Sequence, residues 1–461
     1  MTEAEIEDLY HHGLCIDLFA GGGGFSLGFE QGMKRPIDIA LNHDRYAITL
    51  HAMNHPKTRH VCQDITKADP LEITQGKPVF WVHASPACTQ FSRSRRALPA
   101  EKQLRELGWD AFRWVEQTRP AIFTAENVPE YVNWGPLGQD NYPIRERAGE
   151  TWNEWVQAFR DHGYAIEWRI LNSADHGAPT SRQRLIIIAR RDGLPVRWPE
   201  ADHGNGRAKP YEPAYRHIDW NERAPSIFNR KRALAPKTLE RIRRGVLKHV
   251  IENPAPFNAP IAPQVDNDNS IQVAAFMGQN HGLLSGRSIE EPVSTICSKG
   301  AGQALITLSY IDVARKDSVG RDMRSTVPTI TTKAGHFAEV RITAFLAGYY
   351  SEGGSQINNV KNPIPTITTR DRFGLAEVTI AGRPARIVDI GYRMLTVDEL
   401  WDLMGFPRTY HRNIIANGKP LTQERQKRMI GNAVVPILAR RVVEANLADI
   451  RAMERPHAIA A

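Results

Sequence analysis

Residues 85–92 read Ser-Pro-Ala-Cys-Thr-Gln-Phe-Ser. They set Cys88 in a proline-containing turn directly after a strand-like apolar run, residues 79–84. A thiol on a loop leaving the end of a core strand stands where open α/β proteins do their chemistry. A lone cysteine is more often a small buried hydrophobe, so Cys88 needs other residues to give it meaning. The next signal is a glycine loop. Asp17-Leu18-Phe19-Ala20-Gly21-Gly22-Gly23-Gly24-Phe25-Ser26 follows the first strand-like run and precedes a helix-like one. Glycine there admits positive φ and close approach of a ligand, and the helix N-terminus behind it favours partial negative charge. A dinucleotide fingerprint fits only through Gly22, Gly24 and Gly28, with one extra residue. A nucleoside that bears an amino acid is the competing ligand. About 20 residues further on, folds of this kind place an acid for ribose hydroxyls. Here the second run ends in Leu41-Asn42-His43-Asp44, so Asn42 can bond a hydroxyl without charge. Asp64, in Gln63-Asp64-Ile65-Thr66, can accept from an adenine amino group or serve as a turn or cap residue.

The elements that must hold these loops follow from periodicity. Strand-like runs fall at 14–19, 37–41, 79–84, 121–125, 165–171 and 185–189, with helix-like stretches between them. Trp152, Trp155, Val156 and Phe159, for example, share one helical face. Such alternation predicts an α/β fold, a mostly parallel sheet with helices on both faces. From 192 to 385 the composition shifts to Pro, Gly, Asn and Arg. Three related segments recur there at 291–296, 326–333 and 363–370, built on Pro-Val-Ser-Thr-Ile or Pro-Thr-Ile-Thr-Thr. They predict a smaller β-rich module. Within the same stretch, Leu239, Ile242, Val246 and Val250 share one face of a basic helix carrying Arg241, Arg244 and Lys248. Helix signals return with the capping box Thr396-Val397-Asp398-Glu399, a stop at Gly405 and Pro407, and a stretch over 423–448 interrupted at Gly431-Asn432 and Pro436.

The chain has 461 residues, and 59 Lys+Arg against 51 Asp+Glu give a net charge of +8, a modest excess compatible with a polyanion partner. Cys15, Cys62, Cys88 and Cys297 form no CxxC pair, which argues against a zinc knuckle or a disulfide framework. The polar, acidic start is unlike a signal peptide, and no apolar run is long enough to span a bilayer. A cytoplasmic setting without metal or membrane is expected.

Taken together, these motifs resemble the C5-cytosine-specific DNA methyltransferases of phage and bacterial type. Asp17 to Phe25 resembles that family's S-adenosylmethionine loop, with Phe19 against the adenine, and Pro86-Ala87-Cys88-Thr89-Gln90-Phe91-Ser92 resembles its nucleophile loop. Glu126-Asn127-Val128 resembles the acid motif that holds a flipped cytosine, and Arg182-Gln183-Arg184 the basic motif beside the base. The segment from Arg393 to Met404-Gly405-Phe406-Pro407 resembles the support of the recognition domain. Gly431-Asn432-Ala433-Val434-Val435-Pro436 resembles the return that closes the cofactor pocket. Two residues depart from the pattern: Ala87 stands where the family often has Pro, and Asn42 where the ribose acid is usual.

The resemblance implies a Rossmann-like catalytic domain over 1–191, a target-recognition domain over 192–385 and a C-terminal return over 386–461. It implies Cys88, Glu126, Arg182 and Arg184 as catalytic residues. Asp17, Phe19, Ala20, Gly21, Gly23, Gly24, Phe25, Asn42, His43, Asp64, Ile65, Pro86, Asn432, Ala433 and Val434 would receive the cofactor, and Gln90, Ser92 and Asn127 would touch DNA. Cytosine C5 is a poor nucleophile until a thiolate adds to C6, the part implied for Cys88. A carboxyl in its acid form at N3 eases that addition, the part implied for Glu126, while Arg182 binds the O2 side. Arg184 steadies the loop or the same edge. The target must leave the stack first, at a cost of a few kcal/mol. The implied partner is double-stranded DNA, read by a monomer and with a companion restriction endonuclease as one setting; the long middle region favours DNA over RNA.

Overall fold

The computed structural model describes residues 1–87, 91, 100–228, 230–260, 264–266, 269–279, 285–296, 302–312, 377–416 and 419–459. The chain divides into two compact units, one of Met1–His217, Pro292–Gly300 and Thr396–Ala461, the other of Ile218–Glu291 and Ala301–Leu395.

The first unit is built on seven strands: β1 (Leu14–Leu18), β2 (Ile39–Asn42), β3 (Arg59–Cys62), β4 (Val79–Ala84), β5 (Ile122–Asn127), β6 (Ala165–Asn172) and β7 (Gln183–Arg190). Their order is β3-β2-β1-β4-β5-β7-β6. The pairs β3–β2, β2–β1, β1–β4 and β4–β5 are parallel, and β7 is antiparallel to both neighbours. Alternate residues face opposite sides of a strand. Ile16, Leu18, Val82, Ala84, Phe123 and Ala125 therefore join one core with the aromatic faces of helices Lys102–Thr118 and Glu150–Asp161. Cys15, Trp81 and Ile122 join the other with helix Gly24–Met33 and the C-terminal helix Pro436–Ile459. Three polar residues, Asp17, His83 and Thr124, share that second face and are buried there.

The second unit is an antiparallel sheet ordered β11-β12-β10-β9-β8, from β8 (Gln264–Asp266), β9 (Asn269–Gln279), β10 (Gln303–Asp312), β11 (Glu377–Ile380) and β12 (Arg383–Met394). Helix Pro236–Val246, with a wider turn over Leu247–Ile251, lays Ile242, Val246 and Val250 on Phe276, Leu308 and Ile390. The apolar face is the one read from the sequence. Two of its basic residues are occupied: Arg243 and Arg244 both pair with Glu240, and these bonds pull the Glu240 carboxyl down to about 2.

The division differs in position from the one composition marked at 192 and 385. Residues after β7 stay with the first unit because the C-terminal helix holds them. Arg190 and Asp192 form a fully buried ion pair, Arg190 Nη1 donates to Asn446 O, and Arg197 pairs with Asp449. The first repeat segment also leaves the β-rich unit. Val293 bridges to Thr180, and Ser181 N donates to Val293 O at 2.7 Å. The copies at 326–333 and 363–370 lie outside the described residues.

Candidate active site

Strands β1, β4 and β5 are adjacent and parallel, so the loops after them meet at one edge of the sheet. Because β7 runs antiparallel, its first residues reach the same edge. Register confirms this, with Asn127 opposite Leu185 and Glu126 opposite Ile186. The glycine loop, Ser85-Pro86-Ala87, Glu126-Asn127 and Arg182-Gln183-Arg184 all arise there.

Cys88, Gln90 and Ser92 lie outside the described residues; Pro86, Ala87 and Phe91 are within them. Pro86 is buried, and its carbonyl accepts from Asn127 Nδ2 at 3.2 Å. Phe91 packs edge-on against Tyr131 with ring centroids 4.6 Å apart, under the Arg105 guanidinium at 4.7 Å. Asn127, expected at DNA from the sequence, is buried. Its oxygen accepts from Val128 N at 2.9 Å and its nitrogen donates one N–H to Pro86 O. The amide thus ties the end of β5 to the loop that leaves β4.

Glu126 is buried, with Oε1 at 2.8 Å from Arg184 Nε. The N–H does not point along that line, so Oε1 keeps an unmet acceptor lone pair in a buried place. Arg184 Nη1 is held by Gln183 O at 2.8 Å. Arg182 is 1% exposed and donates from Nη1 to Ile296 O at 3.2 Å, so the returning segment Pro292–Gly300 orients it. Two cations are therefore held by backbone carbonyls, and one of them, Arg184, lies against the Glu126 carboxyl.

The four-glycine run divides by what a side chain would meet. At Gly21 a Cβ finds nothing nearer than Phe19 O at 4.0 Å. At Gly22 it meets the Trp401 ring at 3.1 Å. Gly23 has φ +83 and faces Tyr410 and His55, and Gly24 faces the Val434 carbonyl. Gly28 and Gly32 in turn face Pro436 and Val443 of the C-terminal helix. Of the four, Gly21 has the most open surroundings, while Gly24 and Gly28, which had suggested a dinucleotide fingerprint, are packed closely against the C-terminal return. Phe19, half-buried with φ 60, opens the loop, and Ala20 N donates to Leu41 O.

The remaining expected cofactor residues divide similarly. Asn42 donates to Ala20 O at 3.1 Å and accepts from Asp44 N at 2.8 Å, which fastens two loops and leaves one acceptor lone pair. His43 is exposed, and Ile65 is buried with its carbonyl accepting from Arg113. Asp64 is exposed and closes a turn on Thr66, whose backbone N–H pulls its carboxyl below the usual range. Asn432 is exposed, while Ala433 and Val434 are buried. Phe25 lies inside, stacked on His83 at 3.5 Å.

Asp17, at the end of β1, is buried beneath the loop. Its Oδ2 accepts from Ser26 Oγ at 2.7 Å, and its Oδ1 has no hydrogen-bond partner. Burial pushes its carboxyl up to about 7. Ser26 Oγ lies 2.9 Å from His51 Nε2, and His51 Nδ1 lies 2.9 Å from His60. Burial holds His51 well below the ordinary histidine range and His83 down to about 3, so no cation balances Asp17 from these rings. No sequence spacing signalled this network, nor the parts of Tyr410, Trp401 and His55: Tyr410 and Gly22 are 388 residues apart.

The seven-strand order with one reversed strand, carrying a glycine loop after β1 and an acid at the end of β5, defines a Rossmann-like methyltransferase fold. The C-5 cytosine-specific DNA methylase family model matches residues 14–447, and the chain belongs to that family. It is similar to the type II methyltransferase M1.HphI of Haemophilus parahaemolyticus, 30% identical over 41% of this chain and 48% of that one. The match thus spans about half of that relative's length. M.AgeI of Thalassovita gelatinovora is 25% identical over 93% of this chain and 98% of its own. Among solved structures, the Entamoeba histolytica methyltransferase EhMeth aligns over 95% of this chain and 98% of its own, at 13% identity and a TM-score of 0.48.

Proposed function

We propose that this protein is a DNA (cytosine-5-)-methyltransferase. It transfers a methyl group from S-adenosylmethionine to C5 of a cytosine flipped out of duplex DNA, through a transient Cys88–C6 bond. The observation that carries the proposal is the meeting, at one sheet edge, of buried Glu126 with its unmet Oε1, Arg184 beside it, and Pro86 of the Cys88 loop.

The loop residues fit the proposed cofactor. Gly21 lets backbone approach closely, Phe19 offers a ring for adenine, and Asn42 keeps a lone pair for a hydroxyl. When bound, S-adenosylmethionine supplies the electrophilic methyl group. The protein's own work is on the base. Cys88 adds to C6 while the Glu126 carboxyl in its acid form donates to N3, Arg182 and Arg184 offset negative charge that develops on the ring, and loss of the C5 proton after transfer expels the Cys88 sulfur from C6. Asn127 and Phe91 position the Cys88 loop from its two ends. The Ile218–Glu291 and Ala301–Leu395 unit is the target-recognition domain in this reading. A type II restriction-modification setting, as in the relatives' names, and a cytoplasmic location belong to the same proposal. Among the described residues no helix is long and apolar enough to cross a membrane.

The direct test is methyl transfer to duplex DNA by wild type and Cys88→Ala. Wild type should leave 5-methylcytosine in a defined sequence context, and the variant should bind DNA without turnover. Wild-type rates from the variant would remove the nucleophile from the scheme; transfer to tRNA in preference to duplex DNA would change the substrate.

A further inference from the structure

Tyr410 reaches the glycine loop from the far end of the chain. Its hydroxyl donates to Gly22 O at 2.7 Å and lies 3.2 Å from His55 Nε2. His55 Nδ1 lies 2.8 Å from Glu30 Oε1. A tyrosine hydroxyl has one proton. With that proton on Gly22, the hydroxyl oxygen is left to accept from His55 Nε2, and the three side chains form one connected row ending on loop backbone. Burial pushes the Tyr410 phenol up, so its proton stays in place.

The surroundings keep this row rigid. The Tyr410 ring packs against Phe406 at 4.9 Å and Trp401 at 6.2 Å. Asn54 makes a two-point clamp on His411, donating to its carbonyl at 3.0 Å and accepting from its N–H at 2.7 Å. That clamp joins the residue after Tyr410 to the residue before His55. Gly23 holds φ +83 where a Cβ would lie 2.8 Å from His55 Nε2 and strike the Tyr410 hydroxyl. The loop's shape and the hydroxyl's position therefore require each other.

We infer that Tyr410, His55 and Glu30 are positioning residues that hold the Gly22–Gly23 backbone in the geometry that receives a nucleoside cofactor, so that the C-terminal return sets cofactor affinity. The inference rests on the reading of this loop as the cofactor loop. The three residues touch backbone and one another; none is a catalytic residue.

The test uses the full-length protein and S-adenosylhomocysteine as calorimetric probe, with steady-state kinetics alongside. Tyr410→Phe keeps the packed ring and removes only the hydroxyl. It should weaken probe binding about tenfold, the scale of one lost hydrogen bond, and raise the KM for S-adenosylmethionine in step. The kcat at saturating cofactor and the KM for DNA should stay within about twofold. Glu30→Gln, at the outer end of the row, should shift the same two quantities by a few-fold, and it decides the question should Tyr410→Phe not fold. Wild-type probe affinity in the folded variants would overturn the inference. So would equal losses in kcat, DNA KM and melting temperature, which mark general loosening. Wild type that fails to bind the probe would overturn it through the cofactor reading rather than through the brace.

Discussion

Replacing Asp17 by Asn isolates the energetic consequence of placing a carboxyl beneath the glycine loop. The side chain is fully enclosed, receives one hydrogen bond from Ser26, and leaves Oδ1 without a partner. The groups facing it, Ser26, His51 and His83, carry no charge to oppose its own, since both rings are driven neutral by burial. Its folded pKa of about 7 lies above the unfolded value of 3.8, so the folded state binds the proton more tightly. The associated stability is therefore fully present below about pH 4 and is lost as pH rises through 7. At one pKa unit per 1.36 kcal/mol, the full loss is about 4 kcal/mol, of which about 2 kcal/mol falls between pH 5.5 and pH 8. Asn keeps an acceptor for Ser26 and cannot ionise. Urea unfolding of wild type and Asp17→Asn at both pH values should show the variant gaining about 2 kcal/mol relative to wild type on going to pH 8. The comparison cancels the His51 and His83 contributions, which run in the opposite direction. Parallel pH profiles for the two proteins would refute the reasoning.

The same site sets three further outcomes. Gly24→Ala should cost about 1–3 kcal/mol of stability, because its methyl would strike the Val434 carbonyl, whereas Gly21→Ala should leave melting unchanged and weaken S-adenosylhomocysteine binding in calorimetry. Asn127→Ala frees the Pro86 carbonyl from its partner; turnover should fall about tenfold or more while the KM for DNA changes little, in steady-state methylation assays. Arg184→Met leaves the buried Glu126 carboxylate without its neighbouring cation, and kcat should fall about 100-fold or more in single-turnover transfer.

Much of the fold was legible because it is written locally. The apolar runs of β1, β4 and β7 differ by at most two residues at either end from the strands observed, and the Thr396–Glu399 capping box forms as read. The glycine run was legible as a loop but not in its division of labour. Which glycines are closely packed and which is left open depends on Trp401, Tyr410 and Val434, residues brought in from the other end of the chain. The partners of Asn127 were hidden for a related reason: an amide beside an acid motif gives no sign that it bonds the backbone of a neighbouring loop. The domain edges were blurred because composition changes at 192 while contacts do not; Asn446 and Asp449 hold that stretch, and nothing near 192 announces them. The return of Pro292–Gly300 to the first unit was hidden inside a repeat that read as strand.

The claim on which the functional account stands is that one sulfur bonds to the ring of an extruded cytosine. It is tested most directly by incubating the protein with cofactor and a duplex carrying 5-fluorocytosine at the target position, then digesting and sequencing the peptides by mass spectrometry. Fluorine at C5 blocks elimination, so the account predicts a denaturation-resistant complex whose added nucleotide mass maps to Cys88. No complex at a target that is methylated when unsubstituted, or a complex mapped to another residue, would contradict it.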